Sequence, residues 1–159
     1  MKVERLCKRK INQMKMLKSL VIVGILAGMG VGCATTKQVV PYPDQSKPIA
    51  DTTKARIYVM RLSYIGADCS ATIWDGPQKM GSMGARGYLC WERDPGDTVI
   101  RVFQPVTKQA TLPVKCEKGQ TYYIRHAVKV GTPSQCTLTV MSQSEGAAEL
   151  LKCKPPHVL

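Results

Sequence analysis

With 159 residues, 44% of them hydrophobic and 21% charged, the chain has room for one folded domain, and its composition excludes a disordered polymer. The formal net charge of +12 is unevenly placed: seven basic residues (Lys2, Arg5, Lys8, Arg9, Lys10, Lys15, Lys18) and Glu4 precede an apolar run, while 16 basic and 10 acidic residues after Cys33 leave +6. Those later charges (Arg56, Arg61, Lys79, Arg86, Arg93, Arg101, Lys108) are scattered rather than striped with aromatics, which argues against a nucleic-acid footprint.

The first element in the chain is an export signal. Residues 19–36 carry no charge, and residues 20–31 are apolar or Gly throughout, behind the basic Lys15-Met-Leu-Lys18. That core falls short of the about 20 apolar residues that span a bilayer and suits a signal peptide over residues 1–32. Gly30-Val-Gly32 followed by Cys33 resembles a lipobox, with Gly30 where Leu, Val or Ile is usual. Cleavage is expected between Gly32 and Cys33, with a diacylglyceryl group on the Cys33 thiol and a palmitate-type acyl chain on the new amino terminus. A short, uncleaved membrane anchor is the alternative. Ala34 follows Cys33 in place of the Asp that resembles an inner-membrane retention signal, so the expected location is the outer membrane, facing the periplasm. Met14 and Met16 lie just upstream of a standard-length signal and offer internal starts.

Residues 33–54 read as a lipid-anchored flexible linker. From Lys37 onward they hold Pro41, Pro43 and Pro48 among polar residues and show no apolar period. Such a chain extends about 3.1 Å per residue, enough to lift a domain ~50 Å from a bilayer. From Ala55 the pattern changes to short alternating runs broken by Gly, Pro and Asp. Strands are predicted at 56–61, 70–74, 79–83, 87–92, 98–103, 111–116, 121–130 and 136–141. Asp75-Gly76-Pro77 and Pro95-Gly96-Asp97 are turn signals, and Pro113 marks an edge strand. Evenly spaced strands predict a single antiparallel β-sandwich over residues 55–151. Ser142 and Glu145 are spaced as a capping box opening a short helix through Leu150 and Leu151, and residues 152–159 read as a disordered tail.

At this point the chain resembles a known family. Ala55-Arg-Ile-Tyr-Val-Met-Arg61, Trp74-Asp-Gly76, Met80-Gly81, Gly87-Tyr88, Pro95-Gly96 and Lys118-Gly-Gln-Thr-Tyr-Tyr-Ile124 look like the landmarks of one group. It comprises the small bacterial lipoproteins of the domain of unknown function family twenty-eight forty-six. Asp97 departs from the His or similar residue usual there. The resemblance covers residues 55–151. It implies a PEGA-like or prealbumin-like β-sandwich on a lipid anchor, with no established enzymatic activity.

Seven cysteines is high for this length. Cys7 lies in the expected signal, Cys33 is the expected lipid site, and Cys69, Cys90, Cys116, Cys136 and Cys153 remain for an oxidising compartment, where disulfides are expected with pairing open. Strand parity turns Cys69, Cys116 and Cys136 inward, as an inter-sheet staple needs. The chain contains no Cys-x-x-Cys, so structural use is favoured over zinc or redox chemistry. His126 is in phase with Tyr122, Ile124 and Val128 and is expected in the core. Trp74 and Trp91 are expected in the core, with an exposed patch as the alternative. No nucleophile elbow is present, and Asp75, Asp94 and Asp97 each neighbour Gly or Pro as turn formers. The expected function is therefore non-enzymatic: a membrane-anchored module meeting another envelope protein or peptidoglycan, without a cofactor. The alternatives are a thiol- or metal-dependent envelope enzyme, or a small-ligand or metal carrier, built on Cys90, Cys116, His126 or Cys136.

Overall fold

The structure is a computed structural model that describes residues 34–45, 49, 53–66 and 68–159. The expected signal peptide, its cleavage point and Cys33 lie outside the described residues. The described part of the folded unit Cys33–Leu159 is mainly β, with two mixed sheets and one short helix.

The first sheet runs in the order β11-β1-β4-β3-β6-β8 and the second in the order β5-β2-β9-β10-β7. The strands are β1 (Lys37–Gln38), β2 (Ala55–Arg61), β3 (Ala71–Asp75), β4 (Gln78–Met83), β5 (Gly87–Arg93) and β6 (Gly96–Phe103). They continue with β7 (Thr107–Lys108), β8 (Ala110–Cys116), β9 (Thr121–Lys129), β10 (Ser134–Met141) and β11 (His157–Val158). Helix α1 (Gln143–Leu150) follows β10.

Alternation explains the layering. Ile73, Ile100 and Val102 from the first sheet meet Ile57, Val59, Leu89, Trp91 and Ile124 from the second in one core. Each such side chain, fully buried, contributes about 1.5–3 kcal/mol. The opposite face of the second sheet is covered as well. Tyr58, Met60, Tyr88, Cys90 and Met141 form a second buried cluster beneath Tyr42, Tyr123, Leu150 and Cys153. Tyr58 and Tyr123 stack there with ring centroids 5.1 Å apart.

All eight predicted strands form, with ends shifted by a few residues, and Ser142 caps α1 by accepting from the Glu145 amide at 3.3 Å. Three expectations need correction. The sheets are not purely antiparallel: β2 pairs with β9, β10 with β7, and β1 with β11 in parallel. The linker is not a free spacer at its start. Lys37–Gln38 pairs with β4, and the fully buried Gln38 side chain donates to the Cys90 carbonyl at 2.6 Å and accepts from the Cys90 amide at 3.0 Å. Its next stretch is also held, since the Tyr42 and Tyr88 hydroxyls lie 2.5 Å apart. The tail is not disordered, because His157–Val158 runs along β1, with the Leu159 amide donating to the Gln38 carbonyl at 3.0 Å.

The strand registers define two ends. Loops β2–β3, β4–β5, β6–β7 and β9–β10 gather at one, where Arg61 faces Gly87, Ala71 faces Met83, Thr72 faces Phe103 and Thr107 faces Ser134. The chain enters β1 at this end: a Cβ on Gly84 would lie 1.7 Å from the Ala34 carbonyl oxygen. The turns after β3, β5 and β8 form the other end.

Candidate functional site

The most unusual chemistry lies in the core at the end where the chain enters. Ile57, Val59 and Arg61 share one face of β2, so alternation drives the Arg61 guanidinium inward, where it is fully buried. It donates to three carbonyls: Cys69 at 2.9 Å, Ile65 at 2.7 Å and Gly66 at 2.7 Å. Its Nε has no hydrogen-bond partner. Burial lowers its pKa, against the opposing influence of Cys136, Cys69 and Asp68. These carbonyls order the β2–β3 loop around a cation, and Gly66 is required there. Its φ is +67°, and a Cβ would meet Gln104 Nε2 at 2.5 Å.

His126 comes from β9, the parallel neighbour of β2, whose register (Met60 opposite Arg125) brings the next residues, Arg61 and His126, alongside. It is fully buried, as its parity predicts, and neither ring nitrogen has a hydrogen-bond partner. Burial first, and then the Arg61 charge, lower its pKa from 6.5 to about 4. Gln104, also buried, donates weakly to the Gly66 carbonyl at 3.4 Å and leaves its Oε1 unpartnered. Cys136 completes the group, its Sγ 3.0 Å from Thr107 Oγ1. Each unpartnered buried polar atom costs about 1–3 kcal/mol. The arrangement holds a neutral imidazole beside a fixed cation within the core, closed to a substrate from outside.

The five remaining cysteines are free thiols, which corrects the disulfide expectation. Cys116 and Cys136 do face the core, but at its two ends. Cys116 pairs with Gly96 at the far end and Cys136 with Val128 near the entry end. Cys90 lies on the other face of the second sheet, opposite Trp91 in parity, in the outer cluster that Cys153 also joins. Cys69 sits half-buried before β3. Of the set Cys90, Cys116, His126 and Cys136, the last two share the Arg61 end of the core, while Cys90 and Cys116 lie elsewhere. Among the described residues, no group of three or more His, Cys, Asp or Glu side chains is placed to hold a metal ion. Burial raises the Cys90 thiol to about 12 and the Cys153 thiol to about 11, and it also raises Cys116.

At the far end a cleft of about 290 Å³ is lined by Val40, Tyr42, Lys54, Asp75, Trp91 and Arg93, among others. Asp75 accepts from Trp91 Nε1 at 2.8 Å, from Arg93 at 2.6 Å and from Thr98 Oγ1. In the sequence Asp75 reads as a turn former before it reads as an acid. Its role as a hub depends on β5 and β6 arriving from elsewhere in the chain.

The two tryptophans diverge. Trp91 is core, as expected, whereas Trp74 lies partly exposed on the outer face of the first sheet. The Arg101 guanidinium stands over the Trp74 ring, 5.6 Å from its centroid, and donates to the Gly76 carbonyl at 2.6 Å. Val99, Phe103 and Pro113 are exposed at neighbouring positions of this face. It is an aromatic and apolar surface with a fixed cation. No family model, curated protein or solved structure matches the chain.

Proposed function

We propose that this chain is a bacterial lipoprotein, anchored through Cys33 in the outer membrane and facing the periplasm, that acts as a non-enzymatic binding module. The observation that carries the reading is where the fold begins. Ala34 to Gln38, the first described residues after the expected cut, are already built into the fold: Ala34 lies against Gly84, Thr36 against Gly87, and Lys37–Gln38 pairs with β4. On this reading the fold is a PEGA-like or prealbumin-like sandwich, and the chain is a relative of the small lipoproteins it resembles. The outer face of the first sheet, with Trp74, Arg101 and Phe103, is the surface offered to another envelope protein or to peptidoglycan. Among the described residues the second sheet shows no equivalent, since α1 and Tyr42 cover its outer cluster.

The test is intact mass and fractionation of the full-length protein beside Cys33→Ser, in a bacterium that processes lipoproteins. Acyl mass, loss of residues 1–32 and membrane association in the wild type alone support the reading. Two uncleaved, membrane-bound proteins overturn it in favour of a simple anchor. Two cleaved, soluble proteins overturn it in favour of a free periplasmic domain. A photo-crosslinker at Val99 then reports whether the first sheet's face meets a partner, and Arg101→Glu should abolish that crosslink.

A further inference from the structure

The two ends of the sandwich differ in what they show to solvent. At the entry end, loop β2–β3 exposes Tyr64 (64%) and Ile65 (49%), loop β6–β7 exposes Val106 (90%), and loop β9–β10 exposes Val130 (71%). Val106 is a β-branched residue held at φ +59°, a backbone region that costs such residues energy. A chain selected only for solubility would place Gly or Asn at such a tip. The turns at the far end carry none of the exposed large hydrophobics and hold Asp94, Glu117 and Lys118 instead.

Charge follows the same division. Among the described residues of the entry end, Arg86, Lys108, Lys129 and Lys154 are exposed, and Asp68 is the acidic one. Arg86 reaches the Tyr64 hydroxyl at 3.3 Å, and the Lys154 amide donates to the Arg86 carbonyl at 2.6 Å, so loop β2–β3, loop β4–β5 and the C-terminal segment form one continuous rim. Ala34 enters beneath that rim against Gly84, and the Thr36 side chain is wedged against Gly87. Cys33 is one peptide unit from Ala34, about 3.8 Å between Cα atoms. A lipid on Cys33 therefore emerges beside the rim rather than at the end of a long spacer.

We infer that this rim lies on the bilayer, with Tyr64, Ile65, Val106 and Val130 entering the interface and the four basic side chains meeting anionic headgroups. The inference rests on the lipid-anchor reading. Aromatic and aliphatic tips flanked by Lys and Arg are the side chains that partition into a headgroup layer, and each basic residue near an anionic surface is attracted to it. The acyl chains supply the attachment, and the rim sets the orientation. It stands the sandwich upright with the far end directed into the periplasm and the Trp74 face turned sideways.

The test uses the processed full-length protein in vesicles of phosphatidylethanolamine and phosphatidylglycerol with brominated acyl chains. Single tryptophans are added as I65W, V130W and, at the far end, K118W, each compared with the wild type, which carries Trp74 and Trp91. The expected result is loss of the added fluorescence in I65W and V130W and none in K118W. Weaker loss is expected where phosphatidylcholine replaces the anionic lipid. Intact mass is measured on the same samples. An acylated, vesicle-bound protein in which neither rim tryptophan is quenched, or in which K118W is quenched equally, overturns the rim and leaves the anchor standing. Equal quenching with and without anionic lipid overturns the headgroup contact. Absence of acyl mass removes the anchor and the rim together.

Discussion

His126 sits in the core with both ring nitrogens unpartnered and the Arg61 cation beside it, so protonating it is costly in the folded chain. Its folded-state pKa of about 4 lies below the ordinary 6.5. Between those values the unfolded chain binds a proton that the folded chain refuses, so stability is complete above pH 6.5 and falls as the pH drops toward 4. The slope is about 1.4 kcal/mol per pH unit and the whole loss is ~3 kcal/mol. Denaturant unfolding at pH 7, 5.5 and 4 should show this fall in the wild type and a flatter profile in His126→Leu, which removes the titrating group and two unpartnered atoms. Parallel profiles would refute the assignment. The inward position of His126 was legible from its phase with Tyr122, Ile124 and Val128. The inward position of Arg61 was equally available, since it continues the alternation of Ile57 and Val59, but a charged side chain is ordinarily read as a surface group. That the two meet is a property of the parallel β2–β9 pairing, which joins segments about sixty residues apart.

The eight strands that sequence pattern predicts all carry an alternating or continuous apolar run. The three it misses, β1, β7 and β11, are two residues long and have no period to read. They are specified by what they dock on. Gly81 is the clearest case, because a Cβ there would stand 2.3 Å from the Lys37 carbonyl oxygen, a backbone atom that cannot rotate away. Gly81→Ala should therefore push β1 off β4 and loosen β11 with it. The expected cost is about 1–3 kcal/mol, typical of an overpacked site. Amide exchange should quicken at Val39, whose amide donates to the Met80 carbonyl, and at His157, whose amide donates to the Thr36 carbonyl. Unchanged protection at both amides would mean that β1 is not held this way. Helix α1 shows the reverse relation. Ser142 and Glu145 announce its start, yet Gly146 in its first turns looks misplaced on propensity, where Gly costs about 1 kcal/mol relative to Ala. The reason is tertiary: a Cβ on Gly146 would lie 2.1 Å from the Tyr123 ring, so only Gly lets the helix lie flat on β9. Arg125 of β9 then holds the helix by donating to Glu145 at 2.6 Å and to Glu149 at 3.0 Å.

Across the whole molecule, the two sheets share one core and the second sheet carries an extra outer layer, with no covalent staple among the five described cysteines. Removal of a native bridge from a small exported domain would cost about 2–5 kcal/mol. The unfolding midpoint should therefore be the same with and without dithiothreitol, and all five thiols should alkylate in denaturant without prior reduction. A midpoint that drops with reductant, or a shortfall in label, would show that a bridge forms. The apolar run before Cys33, the eight strands, the helix cap and the inward histidine are all local patterns, set by period, spacing and turn chemistry over a few residues, and they can be read along the chain. Strand order, the parallel pairings, the capture of residues 34–45 and 157–159, the free state of the cysteines and the buried Arg61–His126 pair emerge only when the chain is folded. Each depends on which distant segments lie side by side, and local alternation says which face a residue takes without saying what it will meet there.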